Sequence, residues 1–260
     1  MVYTSYGQTF VRISGPAGAP PLVLLPGASV SSMMWAPNIK ALSEHYQTYA
    51  VDNIYDIGLS VYTRIITRPD DFVNWLDDLF SALELGDKIN LMGVSYGGWL
   101  TSQYTLRFPN RLAKIVLLAP AATVLPLRFA FVVRMMLALV PHRYFTRSFM
   151  HWLFADLVKK DKALIEEGED DMFTAYRCFK PKRLVPPTVL EDQELQSIQV
   201  PTLYLVGEND KIYSPQKAVE RLNKLAPQIK TEVIPNAGHD LTIVQAEMVN
   251  RKVLEFLKQP

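Results

Sequence analysis

The sequence predicts an α/β protein built on a doubly wound, mostly parallel β-sheet. Short apolar runs of strand length alternate along the chain with longer segments of helical period. Most of these runs are apolar at consecutive positions, which is typical of strands covered on both faces by helices. The 260 residues are 49% hydrophobic and 20% charged. That composition excludes a disordered or low-complexity chain.

Seven apolar runs are predicted strands. The first, residues 10–13, alternates like a half-buried strand, whereas the others are compact and bounded by Gly, Pro or Asp. These other strands are residues 22–25, 49–51, 89–94, 115–118, 203–206 and, as a last strand, 232–234.

Two segments have a clear helical period. After Pro69-Asp70-Asp71, apolar residues recur at i, i+3, i+4, i+7 and i+11, and polar residues fall on the other side. The apolar set is Phe72, Trp75, Leu76, Leu79 and Leu83, and the polar set is Asp71, Asn74, Asp78 and Ser81. A similar stripe of Val249, Val253 and Leu257 predicts the last helix.

The stretch from residue 123 to residue 197 breaks this alternation. It contains no convincing strand, and it is rich in Leu, Phe, Met and Trp. An acidic run at residues 166–171 is interpreted as a solvated face or loop. Because the stretch is too long for an ordinary connection, we predict a mainly helical insertion between two strands.

Charge and cysteine content narrow the classes of partner. The chain has 27 Lys and Arg against 26 Asp and Glu, a net charge of +1, which argues against nucleic acid or an anionic membrane surface as a partner. Its single cysteine, Cys178, cannot form an internal disulfide, and no Cys/His cluster has zinc spacing, so we expect no metal and no cofactor.

No signal-peptide pattern is visible, and the longest apolar stretch, residues 127–141, is interrupted by Arg134 and too short to span a bilayer. We therefore expect a cytoplasmic protein with no integral membrane segment.

The strongest chemical signal is the run Gly93-Val94-Ser95-Tyr96-Gly97-Gly98. It follows the predicted strand 89–94 and precedes a helical stretch that begins near Trp99. A serine on a sharp strand-to-helix turn needs glycine on both sides, because the tight backbone leaves no room for Cβ atoms. Its hydroxyl then lies at a helix N-terminus, where free N–H groups favour developing negative charge. The run is also compatible with a turn that only lets a helix pack on a strand, so Ser95 as a nucleophile depends on its partners.

A serine nucleophile requires a histidine base, and the chain has four histidines. His45 ends a helical stretch, and His142 and His151 lie within the predicted insertion. His239 follows the last predicted strand in the loop Asn236-Ala237-Gly238-His239-Asp240, at the sheet edge where the sites of parallel sheets assemble. We therefore predict His239 as the base.

The base needs a carboxylate that holds its tautomer and stabilises the imidazolium. Asp210 follows the predicted strand 203–206 and is placed to emerge at the same edge of the sheet. Glu208 and Asp240 are competitors, although a side chain adjacent in sequence to His239 would normally diverge from its ring. Asp210 is preferred over Glu208 as the acid.

A glycine-containing loop follows the first buried strand, with the sequence Leu24-Leu25-Pro26-Gly27-Ala28-Ser29. Such a loop can turn a backbone N–H towards the serine, and with the N–H of Tyr96 it would form an oxyanion hole. It is also compatible with a plain strand-to-helix connection in which Ser31 or Ser32 caps the helix. Both interpretations can be true.

These residues resemble the α/β-hydrolase superfamily in their order, Ser95, Asp210 and His239, and in the segments GVSYGG, GENDKIYSP and NAGHD. The resemblance extends from LVLLPGASVSSMMW to the final helix. Within the superfamily, MMWAPNIKALSEHYQTYAVDNIYDIGLS and DFVNWLDDLFSALEL are similar to bacterial carboxylesterases of the carboxylesterase NP type.

The resemblance implies an α/β-hydrolase fold, with a mostly parallel eight-stranded sheet flanked by helices and a helical cap inserted after the sixth strand. It implies a core at residues 1–122 and 197–260 and a cap at residues 123–196. It also implies a role for each of five site residues. These are Ser95 as nucleophile, Asp210 as acid, His239 as base, and Ala28 and Tyr96 as oxyanion donors.

Two segments depart from the family pattern. Many relatives carry His-Gly where this chain has Pro26-Gly27, so a loop-orienting side chain is lost. The loop at residues 52–58 lacks the more usual glycine-rich form. Neither departure removes a catalytic group.

The implied function is hydrolysis of carboxylic esters through an acyl-enzyme intermediate. The apolar content of the insertion indicates a hydrophobic acyl or alcohol part; the residues are Phe129, Phe131, Met135, Met136, Leu137, Trp152 and Phe154. A serine nucleophile argues against the haloalkane dehalogenase and epoxide hydrolase relatives, which need a carboxylate there. The alternatives are carbon–carbon bond hydrolysis, lactone opening, perhydrolysis, or a ligand receptor or regulator that keeps the triad. The expected partner is a small hydrophobic ester, with no nucleic acid, and the sequence is compatible with a homodimer.

Overall fold

A computed structural model describes residues 1–179 and 185–259 of the chain. The strands in these residues are β1 (Val2–Thr4), β2 (Gly7–Thr9), β3 (Val11–Ser14), β4 (Pro21–Leu25), β5 (Gln47–Val51), β6 (Val61–Tyr62), β7 (Ile89–Val94), β8 (Leu112–Leu118), β9 (Thr202–Gly207) and β10 (Lys230–Ile234). The helices are α1 (Ala36–Ser43), α2 (Pro69–Ala82), α3 (Tyr96–Arg107), α4 (Phe129–Ala138), α5 (Arg143–Leu153), α6 (Ala155–Lys160), α7 (Lys162–Cys178), α8 (Asp192–Ser197), α9 (Pro215–Leu225), α10 (Leu241–Val244) and α11 (Ala246–Lys258). Within these residues no helix is long and apolar enough to cross a membrane.

The main sheet contains seven of the described strands in the order β10-β9-β8-β7-β4-β5-β3. Neighbouring strands are parallel except for β3, which pairs antiparallel with β5 at one edge. The expected sheet had eight strands, but β1 and β2 form a separate antiparallel sheet with β6. This hairpin is held on helix α2 instead, because Trp75 Nε1 donates a hydrogen bond to Thr9 Oγ1 at 2.9 Å.

The strand register brings the functional loops to one edge of the sheet. Leu25 of β4 lies opposite Gly93 of β7, and Val94 lies opposite Leu118 of β8. Leu118 in turn lies opposite Leu205 of β9. The last residues of β9 and β10, Gly207 and Ile234, also lie opposite each other. The loops that follow β4, β7, β9 and β10 therefore all leave the sheet from its C-terminal edge, where the sites of parallel sheets form.

Helix α2 begins at Pro69, as the sequence predicts, and four residues of its predicted apolar stripe are buried. The fifth, Leu83, is half-buried and follows the last residue of the helix. Asp71, predicted on the polar side, is also buried. The reason is that its carboxylate caps the helix, accepting the N–H groups of Thr67 at 3.0 Å and Arg68 at 3.1 Å. Helix α2 packs against α3, and α1 packs against α11.

Helices α4 to α8 occupy the described part of the stretch between β8 and β9, and no strand is found in those residues. Residues 180–184 of the predicted insertion lie outside the described residues. The acidic run, interpreted from sequence as a solvated face or loop, lies on α7 and partly faces α5. There Glu169 contacts both Arg147 and His151.

Candidate active site

Ser95 lies on the turn between β7 and α3. Its backbone has φ 52° and ψ −115°, a left-handed conformation that is strained for a residue with a side chain, at a cost of about 1–3 kcal/mol. Only glycine fits two residues before Ser95 and two residues after it. A Cβ on Gly93 would lie 2.1 Å from Gly97 O, and a Cβ on Gly97 would lie 2.3 Å from Leu25 O. The sequence therefore folds into a tight turn that leaves Ser95 half-buried at the sheet edge.

The main chain of Ser95 is fixed by the neighbouring strand. Its N–H donates to Leu118 O at 2.9 Å, and the N–H of Ala121 donates to Ser95 O at 2.9 Å. Because both partners belong to β8 or the loop after it, the strained turn is held by hydrogen bonds from outside the turn. The position of the serine is thus set by the sheet.

His239 and Asp210 form a buried pair. His239 Nδ1 lies 2.9 Å from Asp210 Oδ2, and Asp210 Oδ1 accepts the N–H of Ile212 at 2.9 Å. Asp210 is 3% exposed and His239 is 8% exposed. Since the carboxylate engages Nδ1, the ring nitrogen Nε2 is left for another partner, as proton transfer from a serine requires.

The two competing carboxylates have other partners. Glu208 is exposed, and its Oε2 accepts the N–H of Asn236 at 3.2 Å. Asp240 is buried, and its oxygens accept the N–H groups of Gly238 at 2.9 Å and Leu157 at 2.8 Å. Burial raises the pKa of Asp240, and the two N–H donors oppose that rise. The geometry therefore pairs Asp210, rather than either competitor, with His239.

The remaining histidines are engaged elsewhere. His45 is exposed, with its Nε2 3.1 Å from Lys258 Nζ. His142 caps helix α5 by accepting the N–H of Tyr144 at 3.2 Å. His151 contacts Glu169 on helix α7. In the described residues, His239 is the histidine that is paired with a carboxylate at the C-terminal edge of the sheet.

The loop after β4 lies beside Ser95. A Cβ on Gly27 would lie 3.5 Å from Ser95 Cβ, which brings the predicted donor Ala28 next to the serine turn. The other predicted donor, Tyr96, begins α3, where first-turn N–H groups have no partner within the helix. Ser31 caps the short 3-10 turn that follows, as one of the sequence interpretations expected.

Two carboxylates that the sequence analysis did not single out hold this loop. Asp56 Oδ2 accepts the N–H of Ser29 at 2.8 Å, and Asp52 Oδ1 accepts the N–H of Ser32 at 2.7 Å. Both residues follow β5, which pairs in parallel with β4. The signal that could have identified them is an acidic residue at the C-terminal end of a strand next to β4.

The predicted insertion contacts the loops of Asp210 and His239 and the residue that follows Ser95. Lys211 Nζ, in the loop of Asp210, donates to Trp152 O at 2.9 Å. The hydroxyl of Tyr96 donates to Val185 O at 2.8 Å, and the Leu157 N–H reaches Asp240 in the loop of His239. The insertion therefore lies against the sheet edge that carries the candidate site.

Among the described residues, no group of three or more His, Cys, Asp and Glu side chains is arranged to hold a metal ion. A cavity of about 300 Å³ is lined by Arg68, Asp70, Val73, Asn74 and Arg107. It lies where α2 begins and α3 ends, at the opposite end of α3 from Ser95. The cavity is therefore separate from the loops described above.

Comparison with known proteins agrees with this geometry. Residues 22–251 match the alpha/beta hydrolase family. The uncharacterized carboxylesterase nap of Bacillus subtilis (strain 168) is 39% identical over 98% of this chain and 85% of its own length. Carboxylesterase YbfK of the same organism is 37% identical over 98% and 86% of the two chains. The crystal structure of naproxen esterase (carboxylesterase NP) from Bacillus subtilis superposes with a TM-score of 0.89, at 37% identity over 99% of this chain and 90% of that chain. Sequence and fold together show that this chain is a member of the α/β hydrolase family.

Proposed function

We propose that this chain is a serine carboxylesterase that cleaves esters with a hydrophobic acyl or alcohol part and needs neither a metal nor a cofactor. The observation that carries the proposal is the buried Asp210–His239 pair on the same sheet edge as the strained turn of Ser95. The relatives named carboxylesterase, at 37% identity or more over nearly the whole chain, support it.

In the first half of the reaction, His239 Nε2 takes the proton of Ser95 Oγ while that oxygen attacks the ester carbonyl carbon. Asp210 keeps the proton on Nδ1 and stabilises the imidazolium. The N–H groups of Ala28 and Tyr96 donate to the carbonyl oxygen as it becomes an oxyanion. Collapse of the tetrahedral intermediate breaks the carbon–oxygen bond, and His239 returns its proton to the leaving alcohol.

The second half releases the acid. A water molecule loses a proton to His239 Nε2 and attacks the acyl group on Ser95. The resulting intermediate collapses, the proton returns to Ser95 Oγ, and the carboxylic acid leaves. Neither half requires a redox partner, because every proton is exchanged among His239, Ser95, water and the substrate.

We also propose that residues 123–196 form a cap that binds the non-reacting part of the ester. Its apolar side chains divide into two groups by exposure. Phe129, Met136 and Leu137 are exposed, whereas Phe131, Met135, Trp152 and Phe154 are half-buried against the core. The ring of Trp152 is flanked by two cations, with Arg134 Cζ 5.2 Å and Lys211 Nζ 5.6 Å from its centroid. The half-buried group is thus the better candidate for substrate contact.

The test of the proposed function is Ser95→Ala. Loss of the nucleophile is expected to lower kcat for a small aryl acetate by about a millionfold, with a folded protein retained. Ser197→Ala is the matched control, since Ser197 is exposed and donates only to Glu194 O in its own helix. Activity of Ser95→Ala within tenfold of wild type contradicts the proposal. Tight binding with a single slow turnover in the wild type would indicate a receptor instead.

A further inference from the structure

The loop after β4, residues 26–32 and called here the oxyanion loop, has few means of fixing its own shape. Pro26, Gly27 and Ala28 carry no polar side-chain atom, and Pro26 has no N–H. Ser29 has φ 62°, in the left-handed region that disfavours a residue with a side chain. A conformation of this kind persists only when surrounding groups hold it.

The backbone N–H of Ser29 is held by the carboxylate of Asp56. Asp56 Oδ2 accepts the Ser29 N–H at 2.8 Å, while Oδ1 accepts the N–H of Ile57 at 2.8 Å. One oxygen therefore fixes the carboxylate to its own loop, and the other reaches across to the oxyanion loop. Such charge-assisted bonds are shorter and stronger than neutral ones.

The anchored peptide is the one that follows Ala28. On the other side of Ala28, the Gly27 N–H donates to Met34 Sδ at 3.3 Å, and a Cβ on Gly27 would lie 3.5 Å from Ser95 Cβ. The chain is thus held immediately before and immediately after Ala28. Releasing Ser29 would free the ψ angle of Ala28 and the φ angle of Ser29, and the residue that carries the Ala28 N–H would then be held on one side only.

The charge of Asp56 lies near the reacting region. Burial raises the pKa of Tyr96, and the negative charge of Asp56 raises it further. Burial likewise raises the pKa of Tyr176 on helix α7; its hydrogen bond with Ser29 opposes the rise, and the charge of Asp56 adds to it. A negative charge close to a developing oxyanion disfavours it electrostatically. The hydrogen bond of Asp56 to the Ser29 N–H, rather than its negative charge, is therefore the contribution to the reaction that the geometry supports.

We propose that Asp56 is a positioning residue for the oxyanion hole, which acts by accepting the Ser29 N–H and so keeps the Ala28 N–H aimed at the substrate carbonyl. The inference rests on the proposed function. It gives Asp56 a role distinct from that of Asp210, which is a buried acceptor and acts on His239.

The experiment compares Asp56→Ala, Asp56→Asn and Asp71→Ala. Each is measured for kcat and KM on a small aryl acetate and for the Ki of an aryl trifluoromethyl ketone. Ser95 Oγ adds to this ketone, its proton passes to His239, and the resulting oxyanion occupies the same hole as the reaction intermediate. Asp71→Ala is the matched control, because Asp71 also accepts loop N–H groups but lies at the start of α2.

Asp56→Ala is expected to lower kcat/KM by about a hundredfold and to raise Ki by the same factor, with KM nearly unchanged. Asp56→Asn has one acceptor oxygen for the two N–H donors, Ser29 and Ile57. That oxygen can stay on Ser29, because Ile57 is only half-buried and its N–H can donate to water. Since the opposing charge is also removed, both values should stay within about tenfold of wild type. Asp71→Ala should lower Tm and leave kcat/KM and Ki within about threefold. If Asp56→Ala does not fold, Asp56→Ser replaces it, since its hydroxyl is too short to reach Ser29, and the same loss is expected.

Two results overturn the inference. One is a change of less than threefold in both kcat/KM and Ki for the folded Asp56→Ala or Asp56→Ser protein. The other is a loss of kcat/KM with no matching rise in Ki, which would show that Asp56 does not act on the oxyanion. Failure of the proposed function is distinct from both, because the wild type would then neither turn over the ester nor bind the ketone.

Discussion

Replacement of Asp210 by asparagine tests whether Asp210 orients the ring of His239, because asparagine has one acceptor oxygen where aspartate has two. The carboxylate offers its two oxygens to two donors, the Ile212 N–H and His239 Nδ1, each at 2.9 Å. An asparagine has one acceptor oxygen and one NH₂ group, so it can accept from only one of them.

The two possible orientations of the amide have different costs. If the amide oxygen stays with Ile212, the NH₂ group faces Nδ1, the ring proton moves to Nε2, and His239 cannot accept the Ser95 proton. If the amide flips, the N–H of Ile212, a fully buried residue, faces a donor at a cost of about 1–3 kcal/mol. The first orientation is therefore favoured, and Asp210→Asn should fold normally with kcat lowered by about 10⁴.

The assay is kcat for a small aryl acetate together with urea unfolding of the same variant. Glu208→Gln is the control, since Glu208 is exposed and does not contact His239. It should keep kcat within about threefold of wild type. If Asp210→Asn retains kcat within tenfold of wild type, or if Glu208→Gln loses more kcat than Asp210→Asn, Asp210 is not the acid.

Two further predictions concern stability and selectivity. Burial alone would raise the pKa of Asp71, but the N–H donors of Thr67 and Arg68 hold it below the usual range. Asp71 therefore contributes stability that is present above its unfolded pKa of about 3.9 and is lost as the pH falls through its lower folded pKa. Asp71→Asn should thus reduce the free energy of unfolding more at about pH 6 than at about pH 3 in urea titrations, and an equal reduction at both would contradict this. Met135→Ala should lower the ratio of kcat/KM for a bulky aryl ester to kcat/KM for a short one about tenfold, because each buried methylene contributes about 0.8 kcal/mol. Met136 is exposed, so Met136→Ala should leave this ratio unchanged. The same ratio in both variants would place the substrate pocket elsewhere.

The central strands were predictable because both of their faces are covered. In β7 and β9 every residue is buried, so the apolar runs are continuous and easily read. The hairpin of β1 and β2 carries no such run and depends on distant contacts, such as the hydrogen bond of Trp75 to Thr9. Local hydrophobic periodicity does not indicate contacts between residues that are so far apart in the sequence.

Some residues of the candidate site could likewise be predicted from the sequence, and others could not. Serine hydrolysis requires a serine, a histidine and a carboxylate, and each of these types occurs in a loop that follows a predicted strand. The sequence could therefore propose Ser95, Asp210 and His239. Asp56 could not, because it acts on a backbone N–H that belongs to Ser29 and carries no side-chain signal. The role of Asp240 was likewise hidden, since its carboxylate joins the loop of His239 to helix α6 only in the folded chain.

The proposed mechanism passes through an acyl-enzyme on Ser95, and rapid acid quenching followed by mass spectrometry can capture that intermediate. Wild-type protein is mixed with excess aryl acetate, quenched during turnover, digested and mapped. We expect one acetyl group per chain, carried by the peptide that contains Ser95, and none in the Ser95→Ala protein. Steady turnover with no acetylated peptide, or acetyl groups on a different residue that persist in Ser95→Ala, would contradict it.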